Sequence, residues 1–266
     1  MKRIIDFEGI RVSYTVTGRG KTIVLVHGYL EAGEVWDPLV KELADRYRII
    51  SPDLPGHGES GIQGEIHTME WLAAAIREVI IDAGSDKVLM AGHSLGGYVT
   101  LAFLELYPEL LSGYILFHSH PHADSLEAIG RRNREIDVVR AGKKNIMYPG
   151  NVSMMFAEKN LRSMAAEVQR SKEIASRNSG EGIIALLNGM IARPSRQYIL
   201  ENGTVPLMWI LGRYDLYFSP DKAMRDIGLP FNAEVVVLEE SGHLGFIEEK
   251  EKSALLIKSF AERLRW

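Results

Sequence analysis

The stretch VLMAGHSLGGYV (88–99) constrains this chain more than any other. An apolar run, Val88-Leu89-Met90-Ala91, stops at Gly92, and a pattern rich in helix formers begins at Leu95. Ser94 therefore sits on the turn between a buried strand and a helix, in the spacing G-x-S-x-G. A turn that tight forces the serine into an unfavourable backbone conformation. Side chains at the flanking positions would collide, so Gly92 and Gly96 remove them, and Gly97 lets the helix pack close to the sheet. The hydroxyl of Ser94 then stands at the carboxyl end of the sheet, where open α/β folds place their sites. The new helix aims its first backbone N–H groups at the same point, ready for an anion.

The rest of the chain supplies the sheet this turn requires. IRVSYTVTG (10–18) alternates like an exposed-edge strand, and TIVLVHG (22–28) and YRIISPD (47–53) read as buried strands. The segment 68–84 is an amphipathic helix ending at Gly84, followed by the strand 87–91. A helix from Leu95 to Tyr107 is stopped by Pro108, and a strand follows at 113–118. This alternation predicts an α/β fold, a mostly parallel central sheet with helices on both faces. The rhythm breaks at His122. Between there and Glu201 only helical patterns occur, over 125–144, 158–177 and 181–192. Strands resume at 204–215 and 233–243, before a last amphipathic helix at 246–264. The expected organisation is a core of 1–121 and 202–266 carrying a helical insertion, 122–201, that forms a cap over Ser94.

Composition closes off several classes. The 266 residues contain no cysteine, which excludes disulfides and thiolate chemistry and fits a cytoplasmic protein. The opening MKRIIDFEG is interrupted by Asp6 and Glu8 and has no signal-peptide apolar core, and no run is long enough to span a membrane. A net charge of −4 gives no reason to expect a nucleic-acid partner. TGRGKT (17–22) hints at a phosphate loop, but residue 15 is threonine where the pattern needs glycine, and a strand follows.

A serine hydroxyl is a weak nucleophile at neutral pH and needs a base within hydrogen-bond reach. His243, in EESGHLGF, is the one histidine of eight that follows the last strand. A carboxylate must orient that imidazole, and Asp215 lies just past the strand LMWILG. Asp124, after the strand 113–118, is the rival for that role.

The chain resembles the α/β-hydrolase fold family. The likeness runs over nearly its whole length and rests on HGYL (27–30), DLPGHGES (53–60), GHSLGG (92–97), GRYD (212–215) and SGH (241–243). It implies the nucleophile–acid–base order Ser94, Asp215, His243, and an oxyanion hole made by the backbone N–H groups of Tyr29 and Leu95. The implied activity is hydrolysis of a small carboxylic ester through an acyl-enzyme, with a small-molecule substrate and no metal or organic cofactor. The resemblance also leaves open C–C bond hydrolases and menaquinone-pathway lyases, which use the same serine and histidine, perhydrolases, and non-catalytic ligand receptors. Epoxide hydrolases and dehalogenases place an aspartate where this chain has Ser94.

Three features remain. His118, His120 and His122 alternate, so an extended chain puts them on one face, either as an imidazole metal site or along the edge of the active site. Met147, Met154, Met155, Met164 and Met190 lie in the insertion or at its edges. Methionine adapts to irregular apolar shapes, and His118, Met154 and Met155 are the expected substrate contacts, with cap core the alternative for each methionine. Residues 122–200 hold thirteen Lys or Arg against eight Asp or Glu, an excess of base that would attract an anionic substrate if it is not simply a solvated surface.

Overall fold

The computed structural model describes residues 1–221, 223 and 228–266. Eight strands form one sheet: β1 (Lys2–Phe7), β2 (Ile10–Thr17), β3 (Thr22–Val26), β4 (Arg48–Pro52), β5 (Val88–His93), β6 (Leu111–Phe117), β7 (Leu207–Gly212) and β8 (Ala233–Leu238). Their order is β1-β2-β4-β3-β5-β6-β7-β8. The pairs β1–β2 and β2–β4 are antiparallel and the others parallel. Strands β3, β5, β6 and β7 are buried at every position, as parallel strands covered on both faces must be. The alternating β2 is not the edge strand. It pairs with β1 on one side and β4 on the other, and β1 takes the edge. Alternation reports one wet face, which an inner antiparallel strand also has.

Helix α1 (Asp37–Leu43) packs with the C-terminal helix Lys250–Arg263, and α2 (Met69–Asp82) packs with α3 (Leu95–Leu106). Thr68 caps α2 by accepting from the Trp71 N–H at 3.2 Å. The connection from β6 to β7 holds α4 (Leu126–Arg140), α5 (Lys144–Met155), α6 (Ala165–Arg177), α7 (Gly180–Ala192) and α8 (Gln197–Asn202). Sequence periodicity anticipates α4, α6 and α7 but not α5, which carries Pro149 and Gly150 in its interior. Propensity there argues against a helix, and packing against α6 overrides it.

These helices are fastened to the segments that build the site. Asn178 donates to the Glu31 carbonyl and accepts from the Gly58 N–H. A Cβ on Gly182 would lie 1.8 Å from the Gly56 oxygen, and one on Gly189 would lie 1.7 Å from the His67 oxygen. Helix α7 thus approaches the 54–67 loop backbone to backbone, which only glycine permits. Among the described residues, no helix is long and apolar enough to cross a membrane.

Candidate active site

Ser94 has φ +50° and ψ −114°, the strained turn its flanking glycines imply. A Cβ on Gly92 would lie 2.2 Å from the Gly96 oxygen, and one on Gly96 would lie 2.2 Å from the Val26 oxygen. Gly97 accommodates a different neighbour: its Cβ would strike the Ser119 side chain at 2.3 Å. Ser119 Oγ in turn donates to the Ser94 carbonyl at 2.7 Å, and the Ser94 N–H donates to the Phe117 carbonyl at 3.0 Å. The elbow is therefore pinned to the end of β6.

Asp215 and His243 come from loops after β7 and β8, adjacent at the same end of the sheet. His243 Nδ1 is 2.7 Å from Asp215 Oδ2, and both side chains are buried. The other carboxylate oxygen, Oδ1, accepts from the Tyr217 and Phe218 N–H groups at 2.8 and 3.1 Å. Burial by itself raises the Asp215 carboxyl, but the His243 charge, the nearby His118 imidazole and the His243 hydrogen bond outweigh it and hold the group well below the carboxylate range. Burial likewise lowers His243, and the Asp215 charge and hydrogen bond reverse that and leave it above an ordinary imidazole. The pair is ordered to keep a proton on Nδ1 and to leave Nε2 as the free nitrogen. Asp124 is elsewhere: Arg132 Nε donates to it at 2.5 Å and Arg193 Nη2 lies 2.8 Å from it.

The loop after β3 is shaped by buried histidines and one acid. The Gly28 N–H donates to Glu31 Oε2, and the Leu30 N–H donates to His57 Nε2 at 3.0 Å. Among the described residues, the Tyr29 and Leu95 N–H groups have no protein acceptor. His27 Nε2 accepts from the Leu54 N–H at 2.9 Å, and its ring stacks on His57 at 6.0 Å. His93 carries more structure than its sequence position suggests. Its Nδ1 meets Glu31 Oε2 at 3.0 Å and its Nε2 donates to the His243 carbonyl at 2.8 Å. One buried ring thus joins β5, the loop after β3 and the loop that carries His243.

Ser94 and His243 open into one cavity of about 440 Å³, whose lining includes Tyr29, His118, Met155, Met190 and Tyr217. That volume lies in the range of small-molecule sites. Met155 is buried at its wall and its carbonyl accepts from the His243 N–H, whereas Met154 is 52% exposed and does not line it. The far wall is charged: Arg131, Arg132, Asp124 and Glu135. Glu135 accepts from Tyr29 Oη and from Asn151 Nδ2, and burial raises its carboxyl. Periodicity gave no signal for Glu135, which reads as the polar face of an amphipathic helix.

The three alternating histidines all line this cavity, as the edge-of-site reading expects, but among the described residues they do not converge as one set of metal ligands. His118 has φ +48°, which breaks the extended alternation. It turns toward Asp215, while His120 Nε2 meets Tyr98 Oη at 3.0 Å and its Nδ1 accepts from the His122 N–H. The compact group of ligand-type atoms is instead His118, Asp215 and His243, all within 4.8 Å of one another. The 2.7 Å between His243 and Asp215 is the spacing of a shared proton; two ligands of one zinc ion at about 2.0–2.2 Å would stand farther apart in tetrahedral geometry.

Comparison with known proteins gives a consistent result. The family model described as alpha/beta hydrolase fold matches residues 21–134. A pimeloyl-[acyl-carrier protein] methyl ester esterase of Aeromonas hydrophila is 36% identical, with 94% of this chain and 98% of that one covered. A putative 2-succinyl-6-hydroxy-2,4-cyclohexadiene-1-carboxylate synthase of Bacillus subtilis is 24% identical over 95% of this chain and most of its own. The solved structure of a thermophilic esterase from Thermogutta terrifontis superimposes with a TM-score of 0.92 at 28% identity, covering 99% of this chain and 98% of that one.

Proposed function

Because this chain belongs to the alpha/beta hydrolase fold family, we propose that it is a serine hydrolase cleaving a small carboxylic ester through Ser94, His243 and Asp215. The observation that carries this reading is the buried 2.7 Å contact between His243 and Asp215, beside a strained Ser94 that opens into the same cavity.

His243 Nε2 takes the Ser94 proton as Oγ attacks the ester carbonyl. The Tyr29 and Leu95 N–H groups receive the oxyanion, and each such donor is worth about 3–4 kcal/mol of transition-state stabilisation. His243 then protonates the departing alcohol, and a water activated by the same nitrogen cleaves the acyl-enzyme. Asp215 stays ionised throughout and stabilises the imidazolium. Residues 122–201 form the cap of the site: α4, α5 and α7 bring Arg132, Met155 and Met190 to the cavity wall. The Ser94→Ala variant is expected to fold normally, to lose turnover of 4-nitrophenyl acetate and to lose labelling by a fluorophosphonate probe. Labelling and turnover at native levels would remove Ser94 from the mechanism.

The charged far wall, together with the likeness to the relative from Bacillus subtilis named as a 2-succinyl-6-hydroxy-2,4-cyclohexadiene-1-carboxylate synthase, favours one second reading, C–C bond cleavage or elimination on a carbon acid by the same serine and histidine. A series of 4-nitrophenyl esters of rising acyl length separates the two. Turnover of every ester near the uncatalysed rate, with labelling intact, would favour the second.

A further inference from the structure

His118 is a buried imidazole for which the steps above have no use. It follows β6, and its positive φ aims the ring across the end of the sheet at the β7 loop. Two glycines make room for it. A Cβ on Gly212 would lie 2.8 Å from its Cε1, and one on Gly245 would lie 2.5 Å from its Nε2. Its Nε2 accepts from the Gly245 N–H at 3.1 Å. A nitrogen that accepts carries no proton, so the proton of the neutral ring sits on Nδ1. That Nδ1 lies 3.4 Å from Asp215 Oδ2, short of a full hydrogen bond, and has no other partner among the described residues. Burial pushes His118 down to about 4, against the pull of Asp215, so the ring stays neutral where His243 works.

We propose that His118 is a positioning residue, a second imidazole whose Nδ1–H is directed at the same Asp215 oxygen that receives His243. The inference rests on the role given to Asp215 and His243 above. It accounts for a carboxylate met from four directions: two backbone N–H groups on Oδ1 and two imidazoles on Oδ2. The extra donor fixes the direction of Oδ2. It also draws on the charge that Asp215 offers His243, so His243 rises less than Asp215 alone would raise it. The other ionisable groups acting on this cluster are His93 from β5, Glu31 after β3, Glu248 from the short helix Gly245–Glu248, and Tyr217 after β7.

Nitrogen NMR of histidine-labelled protein reads the tautomer without any substitution. His118 is expected neutral and protonated on Nδ1 from about pH 5.5 to about 9. Finding the Nε2–H form, or a charged ring in that range, would overturn the proposal. The midpoint of His243 is then followed in two variants. His118→Phe keeps volume and removes both nitrogens, and is expected to raise the midpoint by about 0.5–1 pH unit. His118→Asn places an amide donor near the Nδ1 position and tolerates positive φ, and is expected to return it to near the native value. A native midpoint in the phenylalanine variant would overturn the proposal. If that variant fails to fold, the tautomer and the asparagine variant still decide. These readouts need no turnover, so failure of the hydrolase reading, seen as an active Ser94→Ala protein, is distinguishable from failure of this one.

Discussion

Replacing Asp215 by asparagine tests the hydrogen-bond logic at its most constrained point. Oδ1 is fixed as an acceptor by the Tyr217 and Phe218 N–H groups, so the asparagine oxygen must take that side. Its NH2 group then faces His243 Nδ1 at the position where an acceptor stood 2.7 Å away. Two donors cannot share that contact, and the imidazole must move its proton to Nε2. The nitrogen toward the cavity becomes a donor and no longer accepts the Ser94 proton. The reverse amide orientation sets NH2 against two backbone donors and is no better. In a serine triad the wrong tautomer lowers kcat by about 10⁴, which is about 5.4 kcal/mol of activation free energy. The assay is kcat and KM for 4-nitrophenyl acetate, with circular dichroism to establish that the variant is folded. A large fall in kcat with a modest change in KM is expected. A folded Asp215→Asn variant within tenfold of native kcat would refute the assignment and return Asp124 to consideration. Asp124→Asn, by contrast, is expected to leave the pH dependence of kcat/KM unchanged, because that carboxylate faces Arg132 and Arg193 instead of His243.

Three further outcomes follow from the same geometry. The proposed reaction requires neutral His243, whose folded value is raised, so kcat/KM should rise with pH through a single group above 6.5; a limb below 6 would contradict the pairing with Asp215. Stability has the opposite origin: His57 and His118 are held neutral, at about 3 and about 4, so below pH 6.5 the unfolded chain binds protons the folded one does not. Each then removes about 1.4 kcal/mol of stability per pH unit until its folded value is reached, and urea midpoints that stay flat from pH 6.5 to 5 would refute this. Gly96→Ala puts a methyl group 2.2 Å from the Val26 oxygen and 2.6 Å from the His27 oxygen, and should cost about 3 kcal/mol or more in thermal unfolding; a native Tm would mean that the elbow has slack these distances deny.

The parts of this protein legible in its sequence are those set by local sterics and periodicity. Gly-x-Ser-x-Gly between an apolar run and a helical pattern specifies the elbow, because the colliding atoms belong to a few adjacent residues. The alternation of strands and helices specifies the sheet, and its interruption marks the helices between β6 and β7. Tertiary structure decided the rest. The sequence offers both Asp215 and Asp124 to His243 and, through the family resemblance, favours Asp215; which of them faces the ring depends on which loop ends lie side by side in a strand order set by crossovers. His118 shows the same limit. Its neighbours in sequence make it one of three alternating histidines, but a positive φ and space left by Gly212 and Gly245 send it to an aspartate 97 positions away. A side chain's chemistry is written in the sequence; the group it faces is fixed only when distant backbone segments close around it.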